Sequence, residues 1–343
     1  MKELPKAELK GLLIRWAEEY RVLAPGLKAN GDCLFDDFDE ESFTLDYGKP
    51  PLPPKSVCFP QSEITFTVDK GRYSPTVKAG PTILFGIRAC DLMGLRQSSN
   101  FMNRDRRDPY YGAKRDAALT VVMACPGPQN DTCFCTTMNS GPAASRGFDL
   151  QLYDFGESFI VEIGSPEGEE FLSPFSLPDL EPRKAAEWTS EFRSKASRAM
   201  RRADAVPEAM DRLKNGTENE GVWDRFGDKC IQCGACAYVC PTCTCFDVSD
   251  HVSAPGSGIR VRSWDVCLLG GFTREASGHN PRPTQALRLK RRHEHKMLYY
   301  NGDDIQEAIS GCTGCGRCSD FCPVHIGTLE VAAALAGRDS PGK

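Results

Sequence analysis

The sequence reads as an α+β chain, with an N-terminal α/β region on a short parallel sheet and a mostly helical module after it. Three observations carry that reading. Residues 82–88, TILFGIR, and 119–124, LTVVMA, are apolar runs rich in β-branched residues, and they flank the helix-forming stretch ACDLMGLRQSSNF. Residues 184–214 and 283–300 read as helix, the second strongly basic. One twelve-residue pattern, C-x2-C-x2-C-x3-C-P, is written twice, as CIQCGACAYVCP at 230–241 and CTGCGRCSDFCP at 312–323.

At 343 residues the chain is long enough for two or three domains, and a boundary near residue 180 gives 1–180 and 181–343. A hydrophobic fraction of 40% allows a real core, and a net charge of -5 argues against a general nucleic-acid binder. The opening MKELPKAELKGLLIRWAEEY has an amphipathic helical pattern with charges throughout. It lacks the uninterrupted apolar stretch of a signal peptide. No window is long and apolar enough for a membrane-spanning helix, so a cytoplasmic protein is expected. The proline-rich PPLPPKSVCFP at 50–60 predicts an extended loop.

The two apolar runs and the helix between them predict a βαβ unit with parallel strands, and Asp91 is placed as a candidate N-cap. Cys90 and Cys125 then fall at the carboxyl ends of the strands, where open α/β sheets gather ligands. The loop DTCFCTT can fold back over that edge and bring Cys133 and Cys135 to them. The helix N-terminus after Cys90 would favour a thiolate there. Residues 101–116, mixing arginines and aromatics, read as a solvated connecting loop, and 155–165 as a strand or hairpin. The next predicted helical stretch, 184–214, should break at Pro207.

Seventeen cysteines without an export signal, bunched one to three residues apart, point to metal binding rather than disulfides. Iron–sulfur cubanes take four thiolates, and the doubled run is that of two-cluster ferredoxins. Three cysteines of each run wrap one cluster, with Gly234, Gly314 and Gly316 allowing close backbone approach. The fourth has left the turn and reaches the other cluster. Cys230, Cys233, Cys236 and Cys322 are thus expected to hold one [4Fe-4S] cluster, and Cys312, Cys315, Cys318 and Cys240 the other. Pro241 and Pro323 then turn the chain away. Zinc prefers separated C-x2-C or Cys/His pairs, which fits two complete runs poorly.

Cys90, Cys125, Cys133 and Cys135 form a candidate third cluster site. Cys243, Cys245 and Cys267 are expected to pack beside the first motif, and Cys33 and Cys58 to be structural. His293 and His295, two apart on a helix, do not suggest a metal site. No G-x-G-x-x-G with strand–helix context and no phosphate-binding G-x-x-x-x-G-K-[ST] occurs, and no nucleophile–base pair stands out. Such a chain carries electrons rather than transforming a substrate by itself. The alternative is a reductase subunit with its own flavin and substrate site in the N-terminal half.

Further stretches carry a resemblance: GIRACDL at 86–92, CFCTTM at 133–138, CPTCTCFDV at 240–248, WDVC at 264–267, GHNPR at 278–282, HKMLYY at 295–300 and CTGCGRCSDFCPVHIG at 312–327. From about residue 80 onward the chain resembles the iron–sulfur beta subunits of cytoplasmic hydrogenase/sulfur reductases. It is similar also to an iron–sulfur component of anaerobic sulfite reductases and to subunits linked to heterodisulfide reductases. The resemblance implies an electron-transfer role between two partners. One is an FAD/NAD(P)-binding reductase subunit; the other is a catalytic hydrogenase, sulfite reductase or heterodisulfide reductase. It also implies a serine where Val266 stands here.

Overall fold

The computed structural model describes residues 1–300 and 310–338. Strand β1 (Lys2–Pro5) leads into helix α1 (Lys6–Ala17), whose Leu9, Leu12, Leu13 and Trp16 recur at helical spacing and are all buried. There follow β2 (Arg21–Leu27), β3 (Cys33–Asp37), a short 3-10 turn (Pro54–Val57), β4 (Ser62–Asp69), β5 (Arg72–Pro75) and β6 (Thr82–Ile87). Helices α2 (Ala89–Met102) and α3 (Pro109–Asp116) connect β6 to β7 (Ala118–Met123), and the hairpin β8 (Leu150–Asp154) and β9 (Ser158–Ile163) comes next. The rest is α4 (Pro166–Leu172), α5 (Pro182–Ala199), α6 (Ala205–Asn215), α7 (Gly221–Lys229), α8 (Ala235–Tyr238), β10 (Phe246–Ala254), β11 (Ser257–Trp264), α9 (Gln285–Glu294), a π-turn (His295–Tyr299), α10 (Arg317–Asp320) and α11 (Thr328–Leu335).

The main sheet has seven strands in the order β1-β9-β8-β7-β6-β2-β3. Its centre is parallel, with β2–β6, β6–β7 and β7–β8 pairs, and its flanks are antiparallel. The β6–α2–α3–β7 connection is the expected parallel crossover. All six residues of β6 are buried, which explains a continuous apolar run in place of alternation. One face of the sheet packs on α1, around Leu13, Trp16, Ile83, Phe85 and Val121; the opposite face packs on α2, around Leu84, Ile87, Leu92 and Val122.

Several local expectations are corrected. Arg88, not Asp91, is the N-cap of α2; Asp91 lies inside the first turn and is needed elsewhere. Residues 101–116 are mostly helical: α2 runs to Met102, and Asp108 caps α3 by accepting a hydrogen bond from Tyr111 N (2.8 Å), with Pro109 in the first turn. The helical stretch after residue 181 breaks at residues 200–204 rather than at Pro207. Pro207 sits in the first turn of α6, where its missing N–H costs nothing.

The insertion between the cysteine runs is not only helical. It opens with the β10–β11 hairpin, which pairs with β4–β5 in a four-stranded antiparallel sheet of order β10-β11-β4-β5. That sheet draws strands from both sides of residue 180. Its outer strand β10 is largely exposed, so no strong apolar alternation announced it.

Candidate iron–sulfur and thiol sites

The repeat in sequence is a repeat in backbone geometry. Gly234 and Gly316 each adopt φ 75°, ψ -7°, a conformation open to glycine, and each starts a one-turn helix, α8 and α10. Those turns carry Cys236 and Cys318. Burial pushes the Cys236 thiol up to about 11, Arg292 pulls it back, and the charges of Cys318, Cys322 and Cys230 add to the rise. Burial likewise raises Cys312, which feels Cys318, Cys315 and Cys240. The Cys322 charge is thus felt at Cys236, and the Cys240 charge at Cys312 and Cys315. Cys233 is the exposed member of the eight.

The surroundings suit thiolate sulfur. Gly314 N donates to Cys312 Sγ (3.4 Å), Thr328 N to Cys318 Sγ (3.3 Å), Ile326 N to Cys322 Sγ (3.2 Å), and the Gln285 side-chain amide to Cys230 Sγ (3.1 Å). N–H donors aimed at sulfur stabilise bound thiolates and tune iron–sulfur sites. Among the described residues no three His, Cys, Asp or Glu side chains converge on a single-ion position. Pro241 packs against α2, where a Cβ on Gly94 would stand 2.5 Å from the proline Cβ.

The third set is brought together as well. Cys90 is in the first turn of α2, Cys125 follows β7, and Cys133 and Cys135 are buried in the loop beyond. Burial raises Cys135, with Cys125 and Cys133 adding to it; Cys90 feels Cys315 and Cys135. The expectation that the helix N-terminus lowers Cys90 is not met: desolvation dominates, and the neighbouring Asp91 charge adds to it.

This third loop is docked on the second cysteine run. Phe134 N donates to Gly314 O (2.8 Å), and a Cβ on Gly314 would lie 2.6 Å from Phe134 O. Lys49 bridges both, donating to Cys315 O and to Asn130 Oδ1 (2.9 Å) and pairing with Asp320 (2.7 Å). Behind them, Arg317 and Asp91 form a bidentate pair (2.6 and 3.1 Å) with both side chains at 0% exposure.

Cys243, Cys245 and Cys267 gather beside Cys240. The Cys243 thiol hydrogen-bonds Cys240 and holds it well below the ordinary thiol value. Cys245 and Cys267 hydrogen-bond each other, which lowers Cys245 and raises Cys267. Three buried cations surround this group. Lys55 donates to the carbonyls of Cys240 and Cys243 (both 2.9 Å) and lies 4.3 Å from the Trp264 ring centroid. Arg292 donates to Cys236 O (3.0 Å). Burial pulls Lys296 down, but the Cys240 and Cys243 charges outweigh it and hold the ammonium above its ordinary value. Val266, fully buried, packs its methyls against Gly234.

The cations were not foreseen. Arg292 and Lys296 lie one helical turn apart in the basic stretch 283–300, a spacing that places both on one face. Lys49 and Lys55 sit in the proline-rich loop, where nothing in the sequence marks them. Burial and Arg292 hold His293 down to about 3, and burial and Lys296 hold His295 down to about 4. His293 Nδ1 faces Leu289 O (3.0 Å).

Residues 229–326 match the family model described as a 4Fe-4S dicluster domain. Together with the paired loops, this defines an iron–sulfur protein. Over 320 residues the chain is 29% identical to the sulfhydrogenase 2 subunit beta of Pyrococcus furiosus, covering 92% of each chain. Along nearly its whole length the chain is thus similar to an iron–sulfur beta subunit of a hydrogenase. No solved structure matches it. No described helix is long and apolar enough to cross a membrane.

Proposed function

We propose that this chain relays single electrons inside a larger oxidoreductase. Cys230, Cys233, Cys236 and Cys322 would hold one [4Fe-4S] cluster, Cys312, Cys315, Cys318 and Cys240 a second, and Cys90, Cys125, Cys133 and Cys135 a third. Bound clusters supply one-electron chemistry. The chain's own residues fix the thiols, direct N–H groups at the sulfurs and exclude water. The donor would be an FAD/NAD(P)-binding reductase subunit, and the acceptor a catalytic hydrogenase, sulfite reductase or heterodisulfide reductase subunit. The relative's name, a sulfhydrogenase beta subunit, favours a hydrogenase partner. We place the α/β part in residues 1–180 and the dicluster part in 181–343.

The observation that carries this reading is the backbone docking of the Cys133–Cys135 loop onto the second cysteine run, which makes the third set continuous with the other two. Iron and acid-labile sulfide analysis of anaerobically purified protein tests it. Three clusters give about twelve of each per chain; about eight removes the third. Flavin absorbance with NADH oxidation by the isolated chain would instead support a self-contained flavin reductase.

A further inference from the structure

The two cysteine runs share a backbone but not their surroundings. Aligned cysteine on cysteine, Ile231 corresponds to Thr313, Gln232 to Gly314, Phe321 to Val239 and Pro323 to Pro241. Gln232 and Gly314 take the same left-handed backbone, φ 59° and 61°. Around the second ligand set, Cys312, Cys315, Cys318 and Cys240, the chain covers these positions itself. Phe134 N donates to Gly314 O, and Lys49 to Cys315 O. A Cβ on Gly314 or Gly316 would strike the loop at 132–135. Thr313 is 2% exposed, and Val239 and Pro241 are buried, the proline against Gly94 of α2.

Around the first set, Cys230, Cys233, Cys236 and Cys322, the same positions are open. Ile231 is 60% and Phe321 41% exposed, and Gln232, Cys233 and Pro323 are exposed as well. No described residue donates a hydrogen bond to Gln232 O or Cys233 O. Where Arg317 reaches Asp91 and Pro50 O, the first run has the methyl of Ala235. Single exposed apolar side chains are ordinary on a protein surface. These adjoin ligand cysteines of one set, Ile231 beside Cys230, and Phe321 and Pro323 beside Cys322.

We propose that Ile231, Gln232, Phe321 and Pro323 form the face on which a cluster-bearing loop of a partner subunit docks, an inference that rests on the electron-relay reading and assigns its outer end. The chain shows what fits such a face, because it fills the equivalent one itself. The occupant there is a cysteine-bearing loop with a backbone N–H for the carbonyl at the left-handed position, and a helix surface for the proline. The chain's own elements of that kind, α2 and residues 132–135, are already engaged by the second run. A second copy therefore has none to offer, and the occupant is a different protein. The order of the relay follows: third set, second set, first set, partner. Electrons cross singly, with no bond made or broken.

The test uses the iron-loaded full chain in its anaerobically isolated complex, with p-benzoylphenylalanine in place of Ile231 and, as control, in place of Val252, which is 80% exposed on β10. Irradiation and peptide mapping should join position 231, and not 252, to a partner segment that contains or borders cluster-ligand cysteines. Adducts to a partner segment remote from such cysteines, adducts within the chain itself, or none at all overturn the docking and leave the relay standing. Separately, Ile231→Glu should weaken retention of that partner about ten-fold or more at unchanged iron per chain, while Val252→Glu retains it. Should Ile231→Glu lose iron, Phe321→Glu is read in its place. Wild-type retention by an iron-loaded variant overturns the proposal. A wild-type chain isolated without iron, or without any partner, fails the relay reading itself.

Discussion

The Asp91–Arg317 pair ties the helix carrying Cys90 to the turn carrying Cys318, and its removal should be costly. Both side chains are fully buried, and Arg317 spends its two terminal nitrogens on the Asp91 carboxylate while Nε donates to Pro50 O (2.8 Å). Asp91→Leu leaves a guanidinium without its counter-charge in a site closed to water. Removing one partner of such a pair costs about 3–5 kcal/mol. Replacing both by apolar residues is often close to neutral, because the desolvation of two ions disappears with the attraction. Asp91→Leu and Arg317→Met should therefore each destabilise strongly, and the double variant should be more stable than Asp91→Leu alone by roughly 2 kcal/mol or more. Anaerobic urea unfolding followed by tryptophan fluorescence, at unchanged slope, measures this for chains of equal iron content. Equal losses in the Asp91→Leu and double variants, or a single-variant loss below about 1 kcal/mol, would refute a buried ionic clamp.

Three further outcomes are expected. Gly314→Ala puts a methyl 2.6 Å from Phe134 O at φ +61°, so the docked loop must move; iron content should fall toward that of the Cys133→Ser/Cys135→Ser variant, and wild-type iron in Gly314→Ala would contradict the docking. The Cys133→Ser/Cys135→Ser variant itself should lose about four irons, and one that keeps all of them would remove these thiols from the ligand set. Lys55→Met removes a buried positive charge beside Cys240, so the reduction potential of the cluster assigned to Cys240 should become more negative in an anaerobic titration followed by electron paramagnetic resonance; an unchanged or more positive potential would show that Lys55 acts only as a packing anchor.

The parts legible in the sequence were those where local pattern and tertiary demand agree. The parallel β6–β7 unit is buried on both faces and reads as two apolar runs. The cysteine runs fix their own turns, because Gly234 and Gly316 stand where a left-handed residue is required. What could not be read depended on distant partners. Asp91 looked like a cap because short acidic residues cap helices, but its carboxylate is claimed by Arg317, 226 positions away. Strand β10 is mostly exposed, and its partner β11 pairs with β4, far earlier in the chain. Lys55 and Arg292 are buried only because sulfur and carbonyl oxygen await them, and no spacing rule encodes that. A thiolate at Cys90 was expected from the helix N-terminus, whereas burial and the Asp91 charge raise that thiol.

The crossing of ligands between the two cysteine runs is tested most directly by Cys240→Ser, with paramagnetic spectra of the reduced protein compared with those of Cys236→Ser and Cys318→Ser. Cys240→Ser should lose the signal that Cys318→Ser loses and keep the one that Cys236→Ser loses. Loss of the Cys236 signal instead would mean that each run holds its own cluster, and the exchange of ligands between the runs would be wrong.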